Sequence, residues 1–371
     1  SYDSMIRAFC NRLSDLRHFY IELIMIMLTA LTLGVLWICQ YVLLIYIYSV
    51  TSIAYILIYA KSFVDTIQCF FNIFGNVILF NSGFWSIILL QSFLKLIEEN
   101  DLLAKRNSIH LEKLKKSLSA IKKSILLFYV LILLDSLMHF PEHGKMESLT
   151  NPHKFSMIKC VGLQPVTKSP NYEFCISIII VQGWTLVCMV LAYKSMLILL
   201  ITHTTTMYEI LAADVMSISQ YLEHTDTRNI LSMLAYRHSL ILKTVKILQS
   251  IYSVPIGVDF GANALCICLS FILPLNEVSN FMTTIMYCLS DFFLYCFLCQ
   301  MLENASEKLE KSIYSCGWEN FERSEQKSIL IMLIQAQKPI SIKAAGIIPV
   351  RMYTFASTMQ SIYKFGAAFK V

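Results

Sequence analysis

Residues 174–193 read FCISIIIVQGWTLVCMVLAY, twenty positions from Phe174 to Tyr193 without one Asp, Glu, Lys or Arg. A helix of about 20 mostly apolar residues crosses the roughly 30 Å hydrocarbon core of a bilayer. Lys194 interrupts the run, and Ser195 to Tyr208 then continues it. Working outward, the same texture recurs. Leu23–Ala60 and Thr66–Leu94 are also free of charge. Ser124–Pro141 holds only Asp135, Ile247–Asn276 only Asp259, and Val278–Leu302 only Asp291. Ala344–Val371 carries Arg351, Lys364 and Lys370. Seven spans are predicted.

Composition agrees. The 371 residues are 56% hydrophobic and 15% charged, with mean hydropathy +0.61. Soluble domains carry about a quarter charged residues, and a water-soluble globule of this make-up would expose too much apolar surface. Disorder is excluded by the same balance. The 12 Cys are too sparse for a disulfide scaffold. The net charge of +5 is mild and gives no support to nucleic-acid binding.

Loop charge sets the orientation. With one helix in Leu23–Ala60, the N-terminus and the linkers 95–123, 203–253 and 303–343 share a side. They hold 3, 8, 4 and 6 Lys/Arg, which is 21 of the 30. Cytosolic loops collect Lys and Arg, so the N-terminus is expected in the cytosol and the C-terminus outside. Residues 1–20 are polar and basic, and no cleavable signal is expected there. The sequon Asn304-Ala305-Ser306 falls on the cytosolic side and is expected unmodified. The inverted orientation, with no Asp-Arg-Tyr box after the third span and no Asn-Pro-x-x-Tyr in the seventh, argues against a G-protein-coupled receptor.

Enzyme signatures are missing: no His-Glu-x-x-His, no Gly-x-Ser-x-Gly, no P-loop. No metal, cofactor or catalytic residue is expected. Cys296-x-x-Cys299 has redox spacing but lies in the sixth span without a second pair, so core packing is the simpler reading. Cys160 and Cys175 both fall on the outer side, where a disulfide can form. Asp135, Lys194, Asp259 and Asp291 each cost about 2.5–3.5 kcal/mol at mid-helix. Functional roles compete there with plain pairing or snorkelling. Asn107–Lys123 and Lys308–Gln337 are amphipathic, suited to a membrane surface or to partner subunits.

The last span is striped. At 100° per residue, Thr354, Ser357, Thr358, Ser361, Phe365 and Ala368 share an arc of about 100°, with Phe369 flanking the stripe. Its hydroxyls can bond back to the helix or pack on neighbours. Repeated around a symmetry axis they would wet a pore, with Phe365, Ala368 or Phe369 as a dewetting constriction.

The C-terminal residues carry a resemblance. Tyr314-Ser315-x-x-Trp318, Lys327, Leu330–Ala336, Gln337-Lys338-Pro339, Gly346, Pro349 and Thr354-Phe355 resemble the tail signature of insect odorant receptors. His238 and Tyr295-Cys296 fit that family's weaker upstream pattern. The resemblance implies an all-α membrane protein, a subunit of a ligand-gated, non-selective cation channel that needs no G protein. It also implies a heterotetramer with co-receptor subunits in the plasma membrane of olfactory sensory neurons. The linker of about 50 residues between spans four and five is shorter than the co-receptor's, so a tuning subunit is expected. Residues 1–20 would then be a cytosolic segment, 21–302 six transmembrane helices with the ligand pocket in their outer half, 303–343 cytosolic anchor helices, and 344–371 the pore-lining helix. Tyr314, Trp318, Lys327, Gln337 and Pro339 would anchor subunits. Gustatory receptors fit less well: here the order is Tyr353-Thr354, and Gln360 precedes Ser361.

A small volatile ligand calls for a closed apolar pocket with one or two polar tips. In the outer halves stand Phe70, Phe71, Phe74, Tyr129, Leu133, Ile180, Trp184, Met282, Met286 and Tyr287. Each is singly readable as bundle core; together they form the candidate site. Tyr and Trp would supply the neutral donors, which suits an aromatic or heterocyclic odorant. A small-molecule transporter, suggested by Gly75, Gly83, Gly257 and Gly261, and a non-conducting assembly factor are the competing readings.

Overall fold

A computed structural model describes residues 171–218, 227–272, 282–338 and 340–369, with Glu112, Lys116, Ser119, Lys123, Leu126 and Val130 besides. Phe70, Phe71, Phe74, Tyr129, Leu133, Asp135, Cys160 and Pro339 lie outside the described residues. The packing below belongs to the unit formed by Asn81–Asp135 and Ser195–Val371.

The six separate positions are helical and exposed. Their spacing of three and four places them on one helix face. That face is polar through Glu112, Lys116, Ser119 and Lys123, then apolar at Leu126 and Val130, which are 63% and 44% exposed. The face changes from polar to apolar between Lys123 and Leu126.

Helix α1 runs Asn171–Ser217, α2 Thr227–Ile272 and α3 Met282–Tyr314. At about 1.5 Å per residue, the 47 residues of α1 reach about 70 Å, more than twice a hydrocarbon core. Among the described residues, three helices are long and apolar enough to cross a membrane: Lys194–Ser217, Thr227–Leu269 and Ile285–Asn320. The 203–253 stretch, read from its charges as a linker, is therefore mostly helix. Charged residues end an apolar span without ending a helix, because Arg, Lys and Glu are good helix formers. In α1, Thr204, Thr205 and Thr206 donate to the carbonyls of Leu200, Ile201 and Thr202, which satisfies their buried hydroxyls. Asp214 of α1 pairs with Arg237 of α2.

After α3 the chain turns at Gly317, whose φ of 77° suits glycine. A 3-10 turn at Trp318–Asn320 leads to α4, Arg323–Ala336. A reciprocal capping box between Glu322 and Glu325 starts α4. Its buried face carries Ile329, Met332 and Ala336. Then comes a two-stranded antiparallel hairpin, β1 at Lys343–Ala344 and β2 at Ile348–Pro349. Its turn places Ala345 and Gly346 at φ 51° and 74°, closed by the Ile347 amide donating to the Ala344 carbonyl. Helix α5, Met352–Phe369, follows. It packs against α2 and α3, which pack on each other, and α4 lies against both.

Candidate functional site

The start of α5 is fixed from three directions. The hairpin before it sits on α2. The Gln249 side-chain amide donates to the Lys343 carbonyl at 3.0 Å and accepts from the Lys343 amide at 2.8 Å. Ser253 Oγ donates to the same carbonyl at 3.0 Å, and the Ser253 carbonyl accepts from the Ala345 amide at 2.7 Å. One turn on, a Cβ at Gly257 would stand 2.8 Å from Ala345 N. Gln249, Ser253 and Gly257 are spaced by four, so they share one stripe of α2. Pro255 lies inside this stretch and has no amide for the ladder. At about 1 kcal/mol net per hydrogen bond, the four bonds together are a substantial tie between hairpin and helix.

Two further ties hold α5 itself. Thr354 Oγ1 donates to the Pro349 carbonyl at 2.6 Å, joining the helix to the hairpin. Arg351 Nη2 meets Glu303 Oε1 of α3 at 2.6 Å. Phe355 then packs edge-on to both Phe292 and Phe293, at centroid distances of 5.1 and 5.7 Å. Higher up, Gly366 allows close approach: a Cβ there would meet Phe271 Cγ at 2.9 Å.

Behind α5 runs a polar seam between α2 and α3. Tyr295 Oη donates to Asp259 Oδ2 at 2.7 Å, and Asn263 Nδ2 donates to Asp291 Oδ2 at 2.8 Å. The pairs are one helical turn apart on each helix, and both carboxylates are 1% exposed. Asp259 and Asp291 thus each accept from a neutral donor across the α2–α3 seam, and Lys194 is buried in α1. Cys296 and Cys299 are buried free thiols on α3, and no metal-holding group of His, Cys, Asp or Glu occurs among the described residues.

The hydroxyl stripe of α5 lies between its buried and exposed faces. Ile362 and Gly366 are buried, and Thr354, Ser357 and Thr358 half-buried. Ser361, Phe365 and Ala368 are exposed. Ser357 and Ser361 donate to the carbonyls of Thr354 and Ser357, at 3.1 and 2.9 Å. Bonding back leaves each oxygen's lone pairs able to accept from water. The face turned furthest from α2 and α3 carries Tyr353, Ala356, Gln360, Lys364 and Ala367, all exposed; the sequence reading did not single these out. Phe369 closes the helix.

Ile180 and Trp184 lie on α1. Met282 and Met286, on the first turns of α3, are 49% and 53% exposed in the single chain. Tyr287 is half-buried beside Ile267, Cys288 and Ile362, where α2, α3 and α5 meet. Of the expected anchor residues, Tyr314, Lys327 and Gln337 are exposed and Trp318 is half-buried. The Gln249–Ser253–Gly257 stripe was missed: its polar residues face a hairpin only two residues wide, which leaves no periodic signal.

A family model described as 7tm Odorant receptor matches residues 59–363. The chain belongs to the odorant receptor family. Among curated relatives, Odorant receptor 67a of Drosophila melanogaster is 26% identical over 148 residues, covering 38% of this chain and 36% of that relative. Odorant receptor 22b of the same fly is 28% identical over 122 residues, 32% of this chain and 31% of the relative. The matched stretches thus span about a third of each relative. The olfactory receptor OR5 of Machilis hrabei, solved in complex with eugenol, superposes with a TM-score of 0.75 at 18% identity. That match covers 89% of this chain and 87% of the other. A second structure of the same receptor gives 0.64 at 18% identity. This odorant-receptor-family chain accordingly has the all-α, seven-helix membrane fold of that receptor.

Proposed function

We propose that this chain is the odorant-binding, tuning subunit of a ligand-gated, non-selective cation channel, assembled with co-receptor subunits as a heterotetramer in the plasma membrane of olfactory sensory neurons. The observation that carries the reading is the last helix, with one buried face against α2 and α3 and, beside it, a flank of half-buried Thr354, Ser357 and Thr358 and exposed Ser361. A symmetric ring of such helices gives a water-lined conduit in which Thr354, Ser357 and Ser361 already donate to backbone carbonyls. In this reading the N-terminus is cytosolic and the C-terminus outside. Thr354, Ser357, Thr358 and Ser361 line the conduit, and Phe365, Ala368 and Phe369 narrow it.

The odorant occupies the outer half of the bundle, among Phe70, Phe71, Phe74, Tyr129, Leu133, Ile180, Trp184, Met282, Met286 and Tyr287. OR5 of Machilis hrabei was solved with eugenol, an aromatic molecule, which supports an aromatic or heterocyclic ligand here. The ligand opens the conduit only as far as it binds the open state better than the closed one. Residues 303–343 supply the subunit anchor: Tyr314 is 68% exposed, and Leu330, Ile331 and Ile334 expose apolar side chains on α4. Such a surface suits burial between subunits.

Co-expression with the common co-receptor, in cells challenged with a panel of volatile phenols, heterocycles and esters that includes eugenol, tests the reading. Odorant-evoked cation current that survives G-protein blockade is expected. Surface-expressed chain with no evoked current, or with accumulation of the odorant inside the cell instead, would overturn it.

A further inference from the structure

The hairpin between α4 and α5 is joined to α2 by more bonds than to anything else, yet it leads directly into the last helix. The Lys343 carbonyl accepts from two α2 side chains, Gln249 and Ser253, and at 3.4 Å from the Gly346 amide within the hairpin turn. The Lys343 amide returns a bond to Gln249, and the Ala345 amide reaches a backbone carbonyl of α2. Ala345 holds a positive φ of 51° to do so, a conformation uncommon for a residue with a Cβ. Its Cβ fits only because residue 257 is Gly. On the other side, Thr354 ties the first turn of α5 to the hairpin carbonyl of Pro349, and Val350 and Ile342, both 1% exposed, close the base.

We infer that this hairpin is a rigid coupling that makes α2 and the start of the last helix move as one body, with Gln249, Ser253 and Gly257 as its positioning residues. A loop of ordinary flexibility between α4 and α5 would let the two helices shift independently. The clasp instead passes any tilt of α2 to α5 through four hydrogen bonds and a Gly–Ala contact. Its consequence for conduction rests on the reading that the last helix lines the conduit; the coupling itself does not.

Pulsed electron-spin distance measurement tests it on the full chain in nanodiscs, diluted with unlabelled chain. One label sits at Lys246 on α2 and one at Tyr353 on α5, both exposed. The native chain is expected to give one narrow distribution. Gly257→Ala, whose methyl meets Ala345, and Gln249→Ala are each expected to broaden it and add a longer population. Adding Ala345→Gly to Gly257→Ala removes the methyl–methyl contact and is expected to restore part of the native distribution. A reference pair at Lys246 and Asn304 reports on α2 and α3 alone and is expected to stay fixed. Should Gly257→Ala disturb that reference, Gln249→Ala decides. The coupling is overturned if the Lys246–Tyr353 distribution stays native in the deciding variants, or if the reference pair shifts as much in Gln249→Ala. A shifted distance with native odorant-evoked current supports the coupling and counts against the conduction reading.

Discussion

Arg351, the residue before the last helix, holds Glu303 on α3 with Nη2 and Oε1 2.6 Å apart. Glu303 is 10% exposed and Arg351 37% at the side chain, so the carboxylate is the more costly group to strand. Reversing either charge alone is expected to lower the thermal midpoint of the purified chain, by fluorescence-detected gel filtration. The double swap Glu303→Arg with Arg351→Glu should recover most of the loss. Equal losses from the single and double changes would show that the pair contributes nothing.

The Gly366–Phe271 contact predicts a size limit. Gly366→Ala pushes a methyl to 2.9 Å from Phe271 Cγ, and overpacking of this kind costs about 1–3 kcal/mol. Phe271→Leu in the same chain should relieve it. A Gly366→Ala chain as stable as the native one would mean that α5 does not approach α2 this closely.

The two seam pairs should differ in cost. Tyr295→Phe keeps the ring and its packing but takes one donor from the buried Asp259 carboxylate, which should cost about 1 kcal/mol. Asn263→Leu places an apolar group against the buried Asp291 carboxylate and should cost more, about 1–3 kcal/mol. Thermal midpoints of the two variants, ranked the other way, would contradict the seam as described.

For the ligand pocket, Trp184→Ala and Phe74→Ala are expected to change which odorants evoke current while surface expression persists. Unaltered dose–response curves across the panel would remove this cluster from consideration.

Much of this was legible in the sequence because a bilayer imposes simple rules. Runs such as Phe174–Tyr193 announce helices by length and lack of charge alone. What stayed hidden depended on tertiary contact. Arg228, Arg237, Lys243 and Lys246 give their stretch the charge of a linker, although the backbone beneath them is continuous helix. Asp259 and Asp291 stood out as costly groups, but their partners, Tyr295 and Asn263, are ordinary residues until two helices fix their register. The hydroxyl stripe of α5 was visible from its period, whereas its position beside rather than opposite the buried face required α2 and α3 to be in place.

The central claim is that the last helix lines the conduction path of an odorant-gated channel. The most direct measurement is cysteine accessibility along that helix in the assembled channel, with a charged thiol reagent applied during odorant-evoked current. Ser357→Cys and Ser361→Cys are expected to lose current on modification, while Ile362→Cys, on the buried face, is expected to be inert, as is the native chain. Block at Ile362→Cys with none at Ser357→Cys or Ser361→Cys would contradict the account.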